Sequence, residues 1–188
     1  MRVFAALPLP PEAAAALQRT IAVLAARADR LRWVNPQGLH LTLHFFGEID
    51  DAAVAGLRSL WDDPGLASPP IPSSFGELGQ FPERGAPRVV WVGFGRGAAE
   101  IVSYQQRLAA RLAARGFAPD PRGFSPHVTL ARNPGSRLAP EWRAGVEAPR
   151  LDFAIEHCVL FQSILEPRGA RYVPLRDVRF GVQNRWSR

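Results

Sequence analysis

The chain has 188 residues, 47% of them hydrophobic, a formal charge of +6 and a pI near 11.0. That balance, without extended low-complexity tracts, describes one folded domain of good size or two small lobes sharing a core, and excludes a disordered chain. All 23 basic residues are arginine, so a lysine-bearing phosphate loop of the Walker type is excluded, and no stretch approaches the roughly 20 apolar residues of a membrane span.

The arginine excess has two readings: a base composition that favours arginine codons, or attraction to a polyanion whose oxygens match the guanidinium fork. The single cysteine, Cys158, lies in an apolar run and cannot form an internal disulfide. The apolar N-terminus is interrupted by Pro8, Pro10, Pro11 and Glu12 too early for a signal peptide. The expectation is a soluble cytoplasmic protein.

In chain order, residues 2–9 read as a strand, and Pro10-Pro11-Glu12 as a helix entry, proline being tolerated at a helix start. Leu17, Ile21, Leu24 and Ala28 then recur on one helical face. A turn at Asn35-Pro36-Gln37-Gly38 leads to a strand over 39–46, and Asp50-Asp51 opens a second helix carrying Val54, Leu57 and Leu60. A proline-rich loop over 68–72 precedes a strand near 73–78. Residues 88–94 are β-branched and aromatic, hence a strand. Ile101, Gln105, Leu108 and Leu112 mark a helix ended by Gly116. A loop over 119–123, a strand over 124–132, a weak helix over 138–146, a long strand over 151–165 and its hairpin partner over 170–180 complete the reading.

The halves repeat one order: strand, helix, strand, helix, strand. The third element of each carries the same tetrapeptide pattern, His40-Leu41-Thr42-Leu43 and His127-Val128-Thr129-Leu130. The natural reading is a single domain, 1–188, with an internal duplication of about 1–82 and 86–165 and a C-terminal hairpin strand. Such lobes face each other across a pseudo-twofold axis, with the motif strands on opposite walls of one cleft. Duplication within one chain makes a monomer sufficient.

Side chains two apart on a strand share a face, so each copy presents an imidazole beside a hydroxyl. Phosphodiester hydrolysis needs one group to take a proton from water and another to protonate the leaving oxygen. Imidazoles titrating near 6.5 suit both roles, and threonine hydroxyls can stabilise the non-bridging oxygens. This scheme needs no metal. One His-x-Thr on a strand means little; two at equivalent places mean more, since histidine is not a favoured core residue.

The chain resembles the 2H phosphoesterase superfamily, and within it the RNA 2′,3′-cyclic phosphodiesterases, also called 2′-5′ RNA ligase-like proteins. The matching segments are Arg2-Val3-Phe4-Ala5-Ala6, Arg32-Trp33-Val34, the run from Leu39-His40 to Gly47-Glu48, Pro87-Arg88-Val89-Val90-Trp91-Val92-Gly93, and Phe124-Ser125-Pro126-His127-Val128-Thr129-Leu130-Ala131-Arg132. The resemblance implies a bilobal α+β fold, with antiparallel sheets flanking a central cleft and helices outside. It implies metal-independent hydrolysis of an RNA 2′,3′-cyclic phosphate to a 2′-phosphomonoester, without cofactor, membrane or obligate protein partner. It implies His40 as proton donor and His127 as acceptor, with reversible 2′-5′ ligation in some members. Arg132 resembles the family's phosphate-contacting arginine, although strict alternation puts it on the face opposite His127 unless a bulge turns it.

His44 has the parity of His40, so a secondary phosphate contact and a rim histidine are both open. Phe46 has the same parity and could stack on a base, although core packing explains it as well. The spacing of His40 and His44 suits a helical metal pair, but the pattern around them is that of a strand, with no carboxylate or cysteine to complete a site. His157, Trp33 and Trp91 read as structural. Gly93-Phe94-Gly95-Arg96-Gly97-Ala98 fits a dinucleotide fingerprint, but no parallel strand ending in an acid follows, and the glycines read as a turn. Two other functions stay open: a phosphodiesterase for small cyclic nucleotides or an ADP-ribose cyclic phosphate, and a non-catalytic module that binds RNA ends.

Overall fold

The computed structural model describes residues 1–118, 123–138, 141–166 and 169–181. Among the described residues nine strands form one sheet. They are β1 (Arg2–Pro8), β2 (Arg32–Trp33), β3 (His40–Glu48), β4 (Ile71–Phe81), β5 (Val89–Phe94), β6 (His127–Arg132), β7 (Asp152–Ile155), β8 (His157–Glu166) and β9 (Gly169–Arg179). Their order is β7-β4-β5-β6-β3-β1-β8-β9, with β2 paired to β6, and every pairing is antiparallel.

Three helices, α1 (Pro11–Ala25), α2 (Asp51–Trp61) and α3 (Ala98–Ala113), cover one face. Their buried side chains, Leu17, Leu57 and Leu108 among them, join alternate strand residues Val3, Ala5, Leu7, Leu41, Val90, Val92 and Val128 in one continuous core. Local chemistry sets the helix starts. Asp50 accepts the Ala53 amide at 2.8 Å and caps α2. Gly97, with φ +83°, starts α3, and a Cβ there would lie 2.6 Å from the Pro72 carbonyl oxygen. The glycine-rich run is thus a tight exit from β5, whose neighbours β4 and β6 are both antiparallel. It is not a dinucleotide turn.

The long strand expected over 151–165 is two strands. β7 pairs with β4, β8 pairs with β1, and only Glu156 lies between them. β7 is at one end of the strand order and β8 next to the other, so the sheet curls round to bring them together. Hydrogen bonds from the Phe180 amide to the Glu156 carbonyl at 2.7 Å and from the Gly181 amide to the Ser68 carbonyl at 3.0 Å tie the seam. The architecture is therefore a curled antiparallel half-barrel with helices outside, an α+β fold as the resemblance implies.

Residues 141–145 form a turn instead of the expected helix; residues 139–140 lie outside the described residues, as do 119–122 of the expected loop. β2 was not foreseen, because two residues carry no period. The motif strands β3 and β6 are direct neighbours, joined through the pair Leu41–Val128, and not facing walls. No helix among the described residues is long and apolar enough to cross a membrane.

Candidate active site

Leu41 and Val128 are fully buried on the helix side. By alternation, the residues flanking them point the other way, so that antiparallel register brings His40 beside Thr129 and Thr42 beside His127. The four residues of the two motifs thus occupy one small patch on the face that the helices leave open.

Each imidazole is held by the same device. His40 Nδ1 donates to the Gly38 carbonyl at 2.6 Å, and His127 Nδ1 donates to the Ser125 carbonyl at 2.8 Å. In both cases the acceptor lies two residues upstream. A 3₁₀ turn over Pro36–Gly38, capped by Asn35, aims the first carbonyl. Pro126 biases Ser125 to extended backbone and so aims the second. A proton fixed on Nδ1 leaves Nε2 of each ring as the exchanging nitrogen.

The rings sit in different surroundings. His40 packs on Phe4 at 4.9 Å and meets Tyr172 edge-on at 5.1 Å. A Cβ on Gly38 would come within 3.1 Å of the Tyr172 ring, so glycine permits this closure. His127 lies more openly against Phe81 at 5.2 Å and Trp91 at 6.2 Å. Burial lowers the His40 pKa from 6.5 to about 4, outweighing the Gly38 carbonyl, which raises it; the charge of Arg132 pushes in the lowering direction.

Two bulges decide what else reaches this face. Along β5–β6 the register steps from Trp91–Thr129 to Val90–Ala131, leaving Leu130 as the extra residue. Ala131 therefore joins the core with Val90, and Arg132, paired with Val89, turns to the side of His127. Along β1–β3 the register steps from Ala6–Thr42 to Ala5–His44, leaving Leu43 as the extra residue. Leu43 and Leu130 are the same position of the two motifs.

The second bulge overturns the alternation expected for His44, and a further step from Phe4–Phe45 to Val3–Gly47 leaves Phe46 as an extra residue in its turn. His44 pairs with Ala5, a core-face residue, and is 8% exposed. It packs against Phe46 at 4.6 Å, and Phe46 packs against Phe117 at 5.3 Å on the core side. Neither side chain stands with His40. Phe45 does: it pairs with Phe4, is 47% exposed, and lies under the guanidinium of Arg2 at 4.9 Å. Phe45 was missed because no sequence signal marks the bulge, and Tyr172 because its hairpin lies outside both repeats.

The remaining candidates are accounted for by packing. His157 Nδ1 lies 3.0 Å from both carboxylate oxygens of Asp177 across β8–β9. Trp33 donates to the Ala28 carbonyl at 3.1 Å. Cys158 is fully buried, and burial pushes its thiol up to about 12. Among the described residues, no three of the His, Cys, Asp and Glu side chains are grouped to hold a metal ion.

A curled antiparallel sheet with two carbonyl-locked histidines on adjacent strands defines a phosphoesterase of the 2H class. Comparison with known proteins agrees. The family model of the 2′-5′ RNA ligase superfamily matches residues 9–164, and the chain belongs to that family of enzymes. It is 33% identical over 164 residues to the RNA 2′,3′-cyclic phosphodiesterase of Aeropyrum pernix, covering 82% of this chain and 89% of that one. The crystal structure of TT0787 of Thermus thermophilus superposes with a TM-score of 0.80 at 28% identity, covering 95% of this chain and 97% of that one. E. coli LigT complexed with 3′-AMP superposes with a TM-score of 0.75 at 26% identity, with coverage of 95% and 97%.

Proposed function

We propose that this enzyme opens the 2′,3′-cyclic phosphate at the 3′ end of RNA to a 2′-phosphomonoester, with His40 and His127 as the acid and base. The observation that carries this reading is the matched pair of imidazoles, each with Nδ1 bound to a carbonyl and with a threonine of the facing strand beside it. Water attacks phosphorus as His127 Nε2 takes its proton. The bond from phosphorus to the 3′-oxygen breaks as His40 Nε2 donates a proton to that oxygen. Thr42, Thr129 and Arg132 stabilise the charge gathering on the non-bridging oxygens. Solvent exchange then resets both rings.

A pKa of about 4 leaves His40 neutral at pH 7 in the free protein. The cyclic phosphate brings one negative charge beside the ring, which favours the imidazolium and arms His40 as donor. The same step with an RNA 5′-hydroxyl attacking phosphorus in place of water, its proton going to His127 Nε2 and the 3′-oxygen leaving with the His40 proton, would join ends through a 2′-5′ linkage. The shared order of strand, helix and motif strand, the shared bulge and the shared carbonyl lock also support a duplication, about 1–82 and 86–165, inside one domain, although the second half lacks a counterpart of α2 among the described residues.

The test is incubation of a short RNA ending in a 2′,3′-cyclic phosphate, with the product read by phosphorus NMR. A 2′-phosphomonoester is expected, and it disappears in His40→Ala and His127→Ala proteins that keep the wild-type circular dichroism. A 3′-phosphomonoester, or turnover that survives either substitution, refutes the assignment. RNA left intact while small cyclic nucleotides are opened would move the substrate to the latter.

A further inference from the structure

The bulge in β6 brings Arg132 to the open face beside a second arginine. Arg32 of β2 is the direct antiparallel partner of Arg132. Cross-strand partners project to the same side, so Arg32 also stands on the face of the two histidines. Both arginines are exposed. Like charges opposed on a ladder repel. Among the described residues neither guanidinium has a carboxylate partner, whereas Arg111, Arg150, Arg171 and Arg176 each have one.

Backbone and aromatic packing keep this repelling pair together. The Val34 amide donates to the Leu130 carbonyl at 2.9 Å, and Trp33, next to Arg32, is anchored to the Ala28 carbonyl at 3.1 Å. Two arginines on paired strand positions of one face, neither with a carboxylate partner among the described residues, are matched by an anion that accepts from both forks.

We propose that Arg32 and Arg132 form a second phosphate subsite, which takes the internucleotide phosphate on the 5′ side of the reacting end. This rests on the RNA reading above. A chain that reacts at its 3′ terminus carries every other phosphate on its 5′ side, so a second anion site on this face has only that phosphate to receive. Arg132 lies three positions beyond Thr129 along β6, at most about 10 Å of strand. Arg132, turned to the side of His127 by the bulge and paired with Arg32 on its far edge, thereby lies between the reacting phosphate and the next one. Arg32, on the far edge of Arg132, serves the second phosphate alone. The consequence is selectivity: an oligonucleotide end is preferred over a single nucleotide because it brings a second phosphate.

The experiment compares kcat/KM on a dinucleotide ending in a 2′,3′-cyclic phosphate with kcat/KM on a nucleoside 2′,3′-cyclic phosphate, which has no second phosphate. Arg32→Ala is expected to lower the ratio of the two about tenfold, through KM on the dinucleotide, as for one lost charge-assisted contact. Arg32→Lys, which keeps charge without the fork, falls between. Wild-type enzyme acting on a dinucleotide with an uncharged methylphosphonate linkage shows the same loss without any substitution. A ratio unchanged by Arg32→Ala, or a methylphosphonate that performs like the natural linkage, overturns the subsite. Wild-type enzyme that opens neither cyclic phosphate overturns the RNA reading itself, so the two failures are distinct.

Discussion

His40 and His127 share a hydrogen-bond device but not a dielectric. Phe4 and Tyr172 strip water from the His40 ring, which holds its pKa near 4 in the free protein. In the proposed mechanism the reaction needs one neutral and one protonated imidazole and is lost when both are protonated, a state the free protein reaches only when His40 takes its proton, at about 4. The acid limb of kcat/KM, which reports the free enzyme, is therefore expected near pH 4. The matching limb of kcat lies higher, because bound phosphate favours the imidazolium. An acid limb of kcat/KM at the ordinary imidazole value would contradict this account of His40. In the proposed mechanism the threonines each supply one hydroxyl to charge that builds in the transition state. Thr42→Ala and Thr129→Ala should each slow kcat roughly tenfold to a few hundredfold with little change in KM; steady-state kinetics on the cyclic end checks this, and a loss confined to KM argues against the role.

Strand periodicity made the site legible, and the bulges mark where that legibility stopped. A period of two correctly groups His40 with Thr42 and His127 with Thr129, since neither pair spans a bulge. Past Leu43 and Leu130 the parity inverts. That is why alternation assigned His44 and Phe46 to the open face, where Phe45 stands, and needed a bulge to admit Arg132. A bulge depends on how the neighbouring strand pairs, and no local residue type announces it here. The wall behind His127 is equally a matter of pairing. Gly79 faces Trp91 across β4–β5, and a Cβ at Gly79 would lie 2.2 Å from the indole. Gly79→Ala therefore displaces Trp91 from His127 and should cost about 1–3 kcal/mol by overpacking. Urea denaturation measures this, and an unmoved midpoint would show that the indole yields freely.

The sheet as a whole curls because consecutive strands, β7 and β8, are placed near opposite ends of its order. The curl leaves one face to α1, α2 and α3 and the other to the two motifs. The proposed acid–base mechanism draws on side chains alone, so EDTA is expected to leave the initial rate unchanged; a rate abolished by chelation and restored by a divalent ion would require a different mechanism. The family was visible in the linear chain because its chemistry is local: each His-x-Thr unit fits on one face of one strand, and the same unit occurs twice. The helices were visible too, through their apolar periodicity and the caps at Pro10-Pro11 and Asp50. Contacts between distant segments decided the rest. Pairing of β3 with β6 made the histidines neighbours, the bulges chose Arg132 and Phe45 over His44, and β2 set Arg32 beside Arg132. Each of these is a matter of register between strands far apart in the chain, and register is fixed only when the whole sheet forms.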